Sequence, residues 1–192
     1  VGVLESEGRE GDFLMGFEES YGYLAGTSVR DKDAVVASML ICELAAHWKK
    51  LGLDLYEAME RLYETYGFWS SALLGQAYEG PEGASDMAAM MSSLRGRAPE
   101  NIGGTDVAER IDYAQGASMP AVNPTDEPQR LPEADVLEFR LADGSRVLFR
   151  PSGTEPKAKA YVFAKGADRA ESGEKLAALV ADAKSILGGT RQ

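Results

Sequence analysis

The sequence predicts an α/β chain of the α+β kind, mainly helical over residues 1–66 and a small sheet-plus-helices unit over residues 67–192. Three patterns carry this expectation. Apolar residues recur three and four apart between 32 and 66, as on one face of a helix. Two alternating stretches, 136–141 and 146–149, flank Ala-Asp-Gly-Ser, a tight hairpin signal. A further amphipathic stretch closes the chain at 170–187.

From Lys32 to Leu51 the stripe consists of Val35, Val36, Met39, Leu40, Leu44, Trp48 and Leu51. Asp31 or Asp33 is placed to cap its start, Lys49 and Lys50 suit its negative end, and Gly52 stops it. Asp54 opens a second helix with Glu57 three residues on, the capping-box pairing, and Leu55, Met59, Leu62 and Tyr66 are its expected buried face. So short a link predicts antiparallel packing of the two helices. Residues 67–78 read as a strand, Gly80-Pro81-Glu82-Gly83 as a turn, 84–94 as a short helix and 107–113 as a strand. Pro120, Pro124, Pro128 and Pro132 are half of the 8 prolines, so 115–133 is expected to be a long irregular loop. A strand follows at 157–164. The last helix presents Leu176, Leu179, Val180, Ala183 and Leu187, and Gly188-Gly189 ends it. Two helices and about 30 preceding residues make a thin core. Those helices call for a sheet to cover, so the chain reads as a fragment or as packing against something else.

Composition narrows the function. With 20 basic and 31 acidic side chains, the net charge of −11 argues against nucleic-acid binding, which depends on cationic groups displacing counterions. No stretch approaches the roughly 18–20 apolar residues of a membrane span, and VGVLESEGREGD has no signal-peptide pattern, so no membrane partner is expected. The single Cys42 excludes an internal disulfide and fits a cytoplasmic location. A small anion remains compatible, because a few well-placed donors hold it whatever the distant charges do.

Two loops carry chemistry. Arg150-Pro-Ser-Gly-Thr-Glu-Pro156 lies between predicted strands. Arg150 offers a planar fork for an oxyanion, Ser152 and Thr154 add hydroxyls, and Gly153 lets backbone amides turn inward. Lys157 and Lys159 follow at period two and share one strand face. The same residues also read as a connecting turn with solubilising cations. The second loop, Gly16-Phe-Glu-Glu-Ser-Tyr-Gly-Tyr23, gathers carboxylates and a hydroxyl suited to sugar hydroxyls, with Tyr21 or Tyr23 available to a pyranose ring. It also reads as a polar turn with its tyrosines in the core.

GFEESYGY (16–23), VRDKDA (29–34) and RPSGTEPK (150–157), in this order and separation, resemble the alpha-D-phosphohexomutases, the bacterial phosphoglucomutase/phosphomannomutase group. The resemblance implies the C-terminal part of a four-domain isomerase: residues 1–66 from the third, sugar-binding domain, and 67–192 as the fourth, with its TATA-box-binding-protein-like fold. It implies interconversion of hexose 1-phosphate and hexose 6-phosphate through a hexose 1,6-bisphosphate and a phosphoserine, with Mg2+ held elsewhere in the whole enzyme. By that likeness Glu18 and Ser20 bind sugar hydroxyls and Lys32 reaches the substrate. Arg150, Ser152, Gly153 and Thr154 hold the phosphate that is not transferred, with Lys157 and Lys159 supporting them. The expected partners are a phosphorylated hexose and the missing N-terminal domains. The chain has neither a Thr-x-Ser-His-Asn segment nor an Asp-x-Asp-x-Asp cluster, so no catalytic residue and no metal ligand is expected in it. Tyr21, Gly22 and Tyr23 stand where some relatives carry a histidine, and Tyr161 and Val162 where some carry an arginine. His47, within the first helix, reads as a packing or surface residue. The alternative is a non-catalytic module that binds a phosphosugar or a partner protein.

Overall fold

The computed structural model describes residues 1–18, 21–119, 129–131 and 133–189. The chain forms two compact units, Val1–Leu62 and Tyr63–Gln192. Among the described residues no helix is long and apolar enough to cross a membrane.

The first unit contains helix α1 (Gly2–Ser6), a 3-10 turn (Glu10–Asp12), strands β1 (Met15–Phe17) and β2 (Tyr23–Ala25), helix α2 (Ala34–Lys50) and helix α3 (Leu55–Tyr66), whose last turn enters the second unit. The caps are those the residues dictate. Asp33 starts α2, its Oδ1 accepting from the amides of Val35 (2.9 Å) and Val36 (3.2 Å). At α3 the amide of Asp54 donates to Glu57 Oε2 and that of Glu57 to Asp54 Oδ1, both at 2.8 Å, a closed capping box.

Two expectations fail here. The stripes of α2 and α3 are not buried: Val35 is 81% exposed, Leu62 55% and Tyr66 73%. Nor do the helices pack along each other; α2 packs chiefly on β2. The physical reason is one and the same. Among the described residues this unit has only the two-stranded β1–β2 ladder, too narrow to cover two amphipathic helices.

The second unit contains β3 (Phe68–Ala77), α4 (Gly83–Gly96), β4 (Asn101–Ile102), β5 (Thr105–Asp112), a 3-10 turn (Tyr113–Gln115), β6 (Ser118–Met119), β7 (Gln129–Arg130), β8 (Leu137–Leu141), β9 (Arg146–Pro151), β10 (Lys157–Gly166) and α5 (Arg169–Leu187). Six strands form one sheet in the order β3-β10-β9-β8-β5-β4, and every neighbour is antiparallel. Gly144, at φ +88°, makes the β8–β9 turn, and Asp143 Oδ1 accepts from the Ser145 amide at 2.9 Å. Strands β6 and β7 pair apart from this sheet; most of the proline-rich 115–133 expectation, with Pro120, Pro124, Pro128 and Pro132, lies outside the described residues.

Helices α4 and α5 cover one face of the sheet. Met90, Met91 and Leu94 of α4 and Leu179, Ala183 and Leu187 of α5 share a core with Phe139, Val147, Phe149 and Val162. On β10, Ala158, Ala160, Val162 and Ala164 are all fully buried, so Lys157, Lys159 and Tyr161 point to the other face. The period-two reading of this strand holds.

Candidate functional site

The arginine loop leaves the sheet between β9 and β10. Arg150 stands directly opposite Lys159 in the ladder, and Pro151 opposite Ala158. Because Phe149 and Ala160 are buried beneath, the pleat sends Arg150, Lys157 and Lys159 to the face that carries no helix. Three cations thus gather at the end of two adjoining strands. Among the described residues none of the three has an ion-pair partner.

The loop closes on itself. The Ser152 amide donates to the carbonyl of Lys157 at 2.7 Å, and the Lys157 amide donates to that of Glu155 at 2.8 Å. Ser152 Oγ and Thr154 Oγ1 stand 3.4 Å apart. The amide of Ser152 is therefore engaged within the loop, which leaves its hydroxyl as the group it can offer a ligand. Gly153 keeps an exposed backbone with open space where a side chain would be. Its amide, the two hydroxyls and the Arg150 fork remain as donors.

Outside the loop, β3 and α4 fix its far end. The Tyr78 amide donates to the Pro156 carbonyl at 2.8 Å, and the Tyr78 hydroxyl donates to the Leu187 carbonyl at 2.6 Å. Gly83 fits where no other residue does: a Cβ there would stand 2.8 Å from the Tyr78 carbonyl carbon, and closer still to its oxygen. Arg95 lines a neighbouring cavity of about 270 Å³ with Ser152, but its charge is already committed. It donates from Nε to Asp112 at 3.0 Å and pairs with Asp135. Although burial opposes the charge of Asp112, the hydrogen bond from Arg95 and the Ala114 amide hold its carboxyl below the usual range.

In the first unit, β1 and β2 present the loop that contains Glu18, Tyr21 and Gly22. This hairpin was not read from the sequence. Two strands of three residues are too short to show alternation. The Glu18 amide donates to the Gly22 carbonyl at 2.9 Å, and the Asp33 amide to the Tyr23 carbonyl at 2.8 Å, tying the loop to the start of α2. Lys32 Nζ lies 2.9 Å from Asp31 Oδ1 and 3.5 Å from Glu18 Oε1. The hydrogen bond and charge of Asp31, with the charge of Glu18, raise the Lys32 pKa, and Lys32 in turn lowers that of Asp31. Tyr21 is 87% exposed at φ +64° and Tyr23 is 43% exposed, which removes the reading of both as core residues. Ser20, the remaining expected sugar ligand, lies outside the described residues, as does Glu19.

Among the described residues the acidic side chains form no cation cage. Asp31 is engaged by Lys32, Asp33 by the α2 amides and Glu18 by Lys32. Among the described residues no three His, Cys, Asp or Glu side chains converge on a common point. Magnesium, expected of the whole enzyme, does not fit the residues described here. His47 is exposed on α2 and meets the Trp48 ring edge-on, with centroids 5.5 Å apart.

The sequence matches two family models: "Phosphoglucomutase/phosphomannomutase, alpha/beta/alpha domain III" over residues 3–66, and "Phosphoglucomutase/phosphomannomutase, C-terminal domain" over residues 96–186. The phosphoglucomutase of Staphylococcus haemolyticus is 36% identical over 150 residues, covering 78% of this chain and 27% of that protein. A Staphylococcus aureus phosphoglucomutase is 34% identical over 169 residues, covering 88% of this chain and 30% of that protein. The chain thus spans under a third of the length of these relatives. In fold it resembles the open form of pp63/parafusin, a phosphoglucomutase from Paramecium, with a TM-score of 0.64 at 19% identity, covering 97% of this chain and 32% of that one.

Proposed function

The chain belongs to the alpha-D-phosphohexomutase family, and from that premise we propose that it is the sugar- and phosphate-binding C-terminal portion of a phosphoglucomutase/phosphomannomutase. In this reading residues 1–66 complete the third domain and residues 67–192 form the fourth. The observation that carries it is Arg150, an exposed cation without an ion-pair partner among the described residues, at the head of a loop closed by the Ser152–Lys157 hydrogen bond.

Arg150 takes two phosphate oxygens with its planar fork, while Ser152 Oγ, Thr154 Oγ1 and the Gly153 amide complete the grip. Lys157 and Lys159 add positive charge from the same sheet face. Each hydrogen bond to the dianion contributes about 1.5–3 kcal/mol, so a few of them outweigh the diffuse repulsion of an acidic chain screened beyond roughly 8–10 Å. Glu18 and Ser20 accept and donate to sugar hydroxyls, with Lys32 as a further donor. Such a division suits a reaction in which a hexose 1,6-bisphosphate must be held from either end. Positioning and charge stabilisation are the chief demands of phosphoryl transfer. In this reading Mg2+ and the phosphoserine would be held by the preceding domains of the whole enzyme. The reaction itself requires those domains as partners.

Calorimetry on the 192-residue chain tests this. Glucose 6-phosphate should bind more tightly than inorganic phosphate, and free glucose more weakly than either. Supplied with glucose 1-phosphate and glucose 1,6-bisphosphate, the chain alone should release no glucose 6-phosphate. Equal affinity for glucose and its 6-phosphate, or turnover by the chain alone, would contradict the assignment.

A further inference from the structure

Gly22 is buried although both its neighbours are exposed. Among the described residues, the stem of Lys32 lies against it. A Cβ at Gly22 would stand 2.6 Å from Lys32 Cγ, closer still to Cδ, and 3.4 Å from Glu18 Oε2. Among the described residues the three nearest atoms to that position all belong to side chains, and the φ of Gly22 lies outside the left-handed region. The absence of a side chain leaves a notch that the Cγ and Cδ methylenes of Lys32 occupy.

Lys32 uses that notch to cross the loop. Its Cγ and Cδ pass through the space beside Gly22, and its ammonium emerges 3.5 Å from Glu18 and 2.9 Å from Asp31. Glu18 is held in turn by its own amide, bonded to the Gly22 carbonyl at 2.9 Å. A side chain in that space would push the lysine stem aside and carry its ammonium away from Glu18.

We infer that Gly22 is a positioning residue for sugar recognition, seating Lys32 so that its ammonium and the Glu18 carboxylate meet neighbouring hydroxyls of a hexose phosphate together. The inference rests on the proposed role of Glu18 and Lys32 but adds a residue that touches no ligand. An added methyl at residue 22 displaces a flexible side chain and not the fold, so binding should change while stability does not.

NMR titrations of the 192-residue chain with glucose 6-phosphate and, separately, inorganic phosphate test it through Gly22→Ala, Lys32→Ala and the double variant. Gly22→Ala and Lys32→Ala should each weaken glucose 6-phosphate about tenfold, the low end for one lost charge-assisted hydrogen bond, and leave inorganic phosphate within about twofold. The double variant should bind as Lys32→Ala alone, because a lysine that is gone cannot be displaced. Additive losses in the double variant, or parental binding by Gly22→Ala, would overturn the inference while leaving the role of Lys32 intact. Parental binding by Lys32→Ala would overturn both. Should Gly22→Ala unfold the first unit, Lys32→Ala in the same chain must restore its circular dichroism; failure to do so counts against the notch as well.

Discussion

Arg150→Ala is expected to weaken glucose 6-phosphate binding by roughly 10- to 100-fold and to leave the unfolding midpoint unchanged. The magnitude is that of one or two charge-assisted hydrogen bonds, about 1.5–3 kcal/mol, converted to an affinity ratio. The unchanged midpoint follows from the surroundings of the residue. Its side chain lies on the face that carries no helix, and it holds no carboxylate among the described residues. Arg150→Lys should recover only part of the loss, because a point charge replaces a planar fork. Isothermal calorimetry paired with a thermal melt reads both effects. An unaltered affinity, or a lower midpoint accounting for the loss, would remove the arginine from the site.

Phe149→Ala, one residue earlier, should act in the opposite manner. Phe149 is fully buried, meets Phe139 edge to face with centroids 6.0 Å apart, and sits in register with Leu137 and Ala160 on the flanking strands. Losing its ring costs about 3–5 kcal/mol, a large part of the 5–15 kcal/mol that stabilises an ordinary domain. Urea unfolding of the second unit should show that loss. Phosphate binding should fall only with the folded fraction. The pair of variants separates grip from scaffold: adjacent positions on β9, pointing to opposite faces, with opposite effects on affinity and stability. A stability change below about 1 kcal/mol would mean that the core here collapses around the gap.

What could be read in the sequence was mostly what is local. The Asp54–Glu57 capping box, the Asp33 cap and the Asp143-Gly144 turn are each decided within a few residues, and all three form. The long strand β10 announced itself by alternation, which also put Lys157 and Lys159 on one face. The short elements did not: β4 has two residues, and β1 and β2 three each. The apolar stripes of α2 and α3 were legible as stripes, but their burial depends on a covering layer, and a single helix carries no record of it. At the arginine loop, residue types pointed to an anion. Which amides stay available did not follow from them, because the Ser152 amide turns to the Lys157 carbonyl only once β9 and β10 are paired. Gly22 is indistinguishable in sequence from any loop glycine, because its contact with the Lys32 stem joins residues ten apart.

The central claim is that the turn between β9 and β10 grips a phosphate dianion. Amide chemical-shift mapping of the 192-residue chain during titration with inorganic phosphate locates the ligand without any variant. Gly153 and Thr154 should shift first and most, with Arg150 and Lys157 next, and the changes should saturate together. Saturable shifts centred elsewhere, with Gly153 unmoved, would contradict the account.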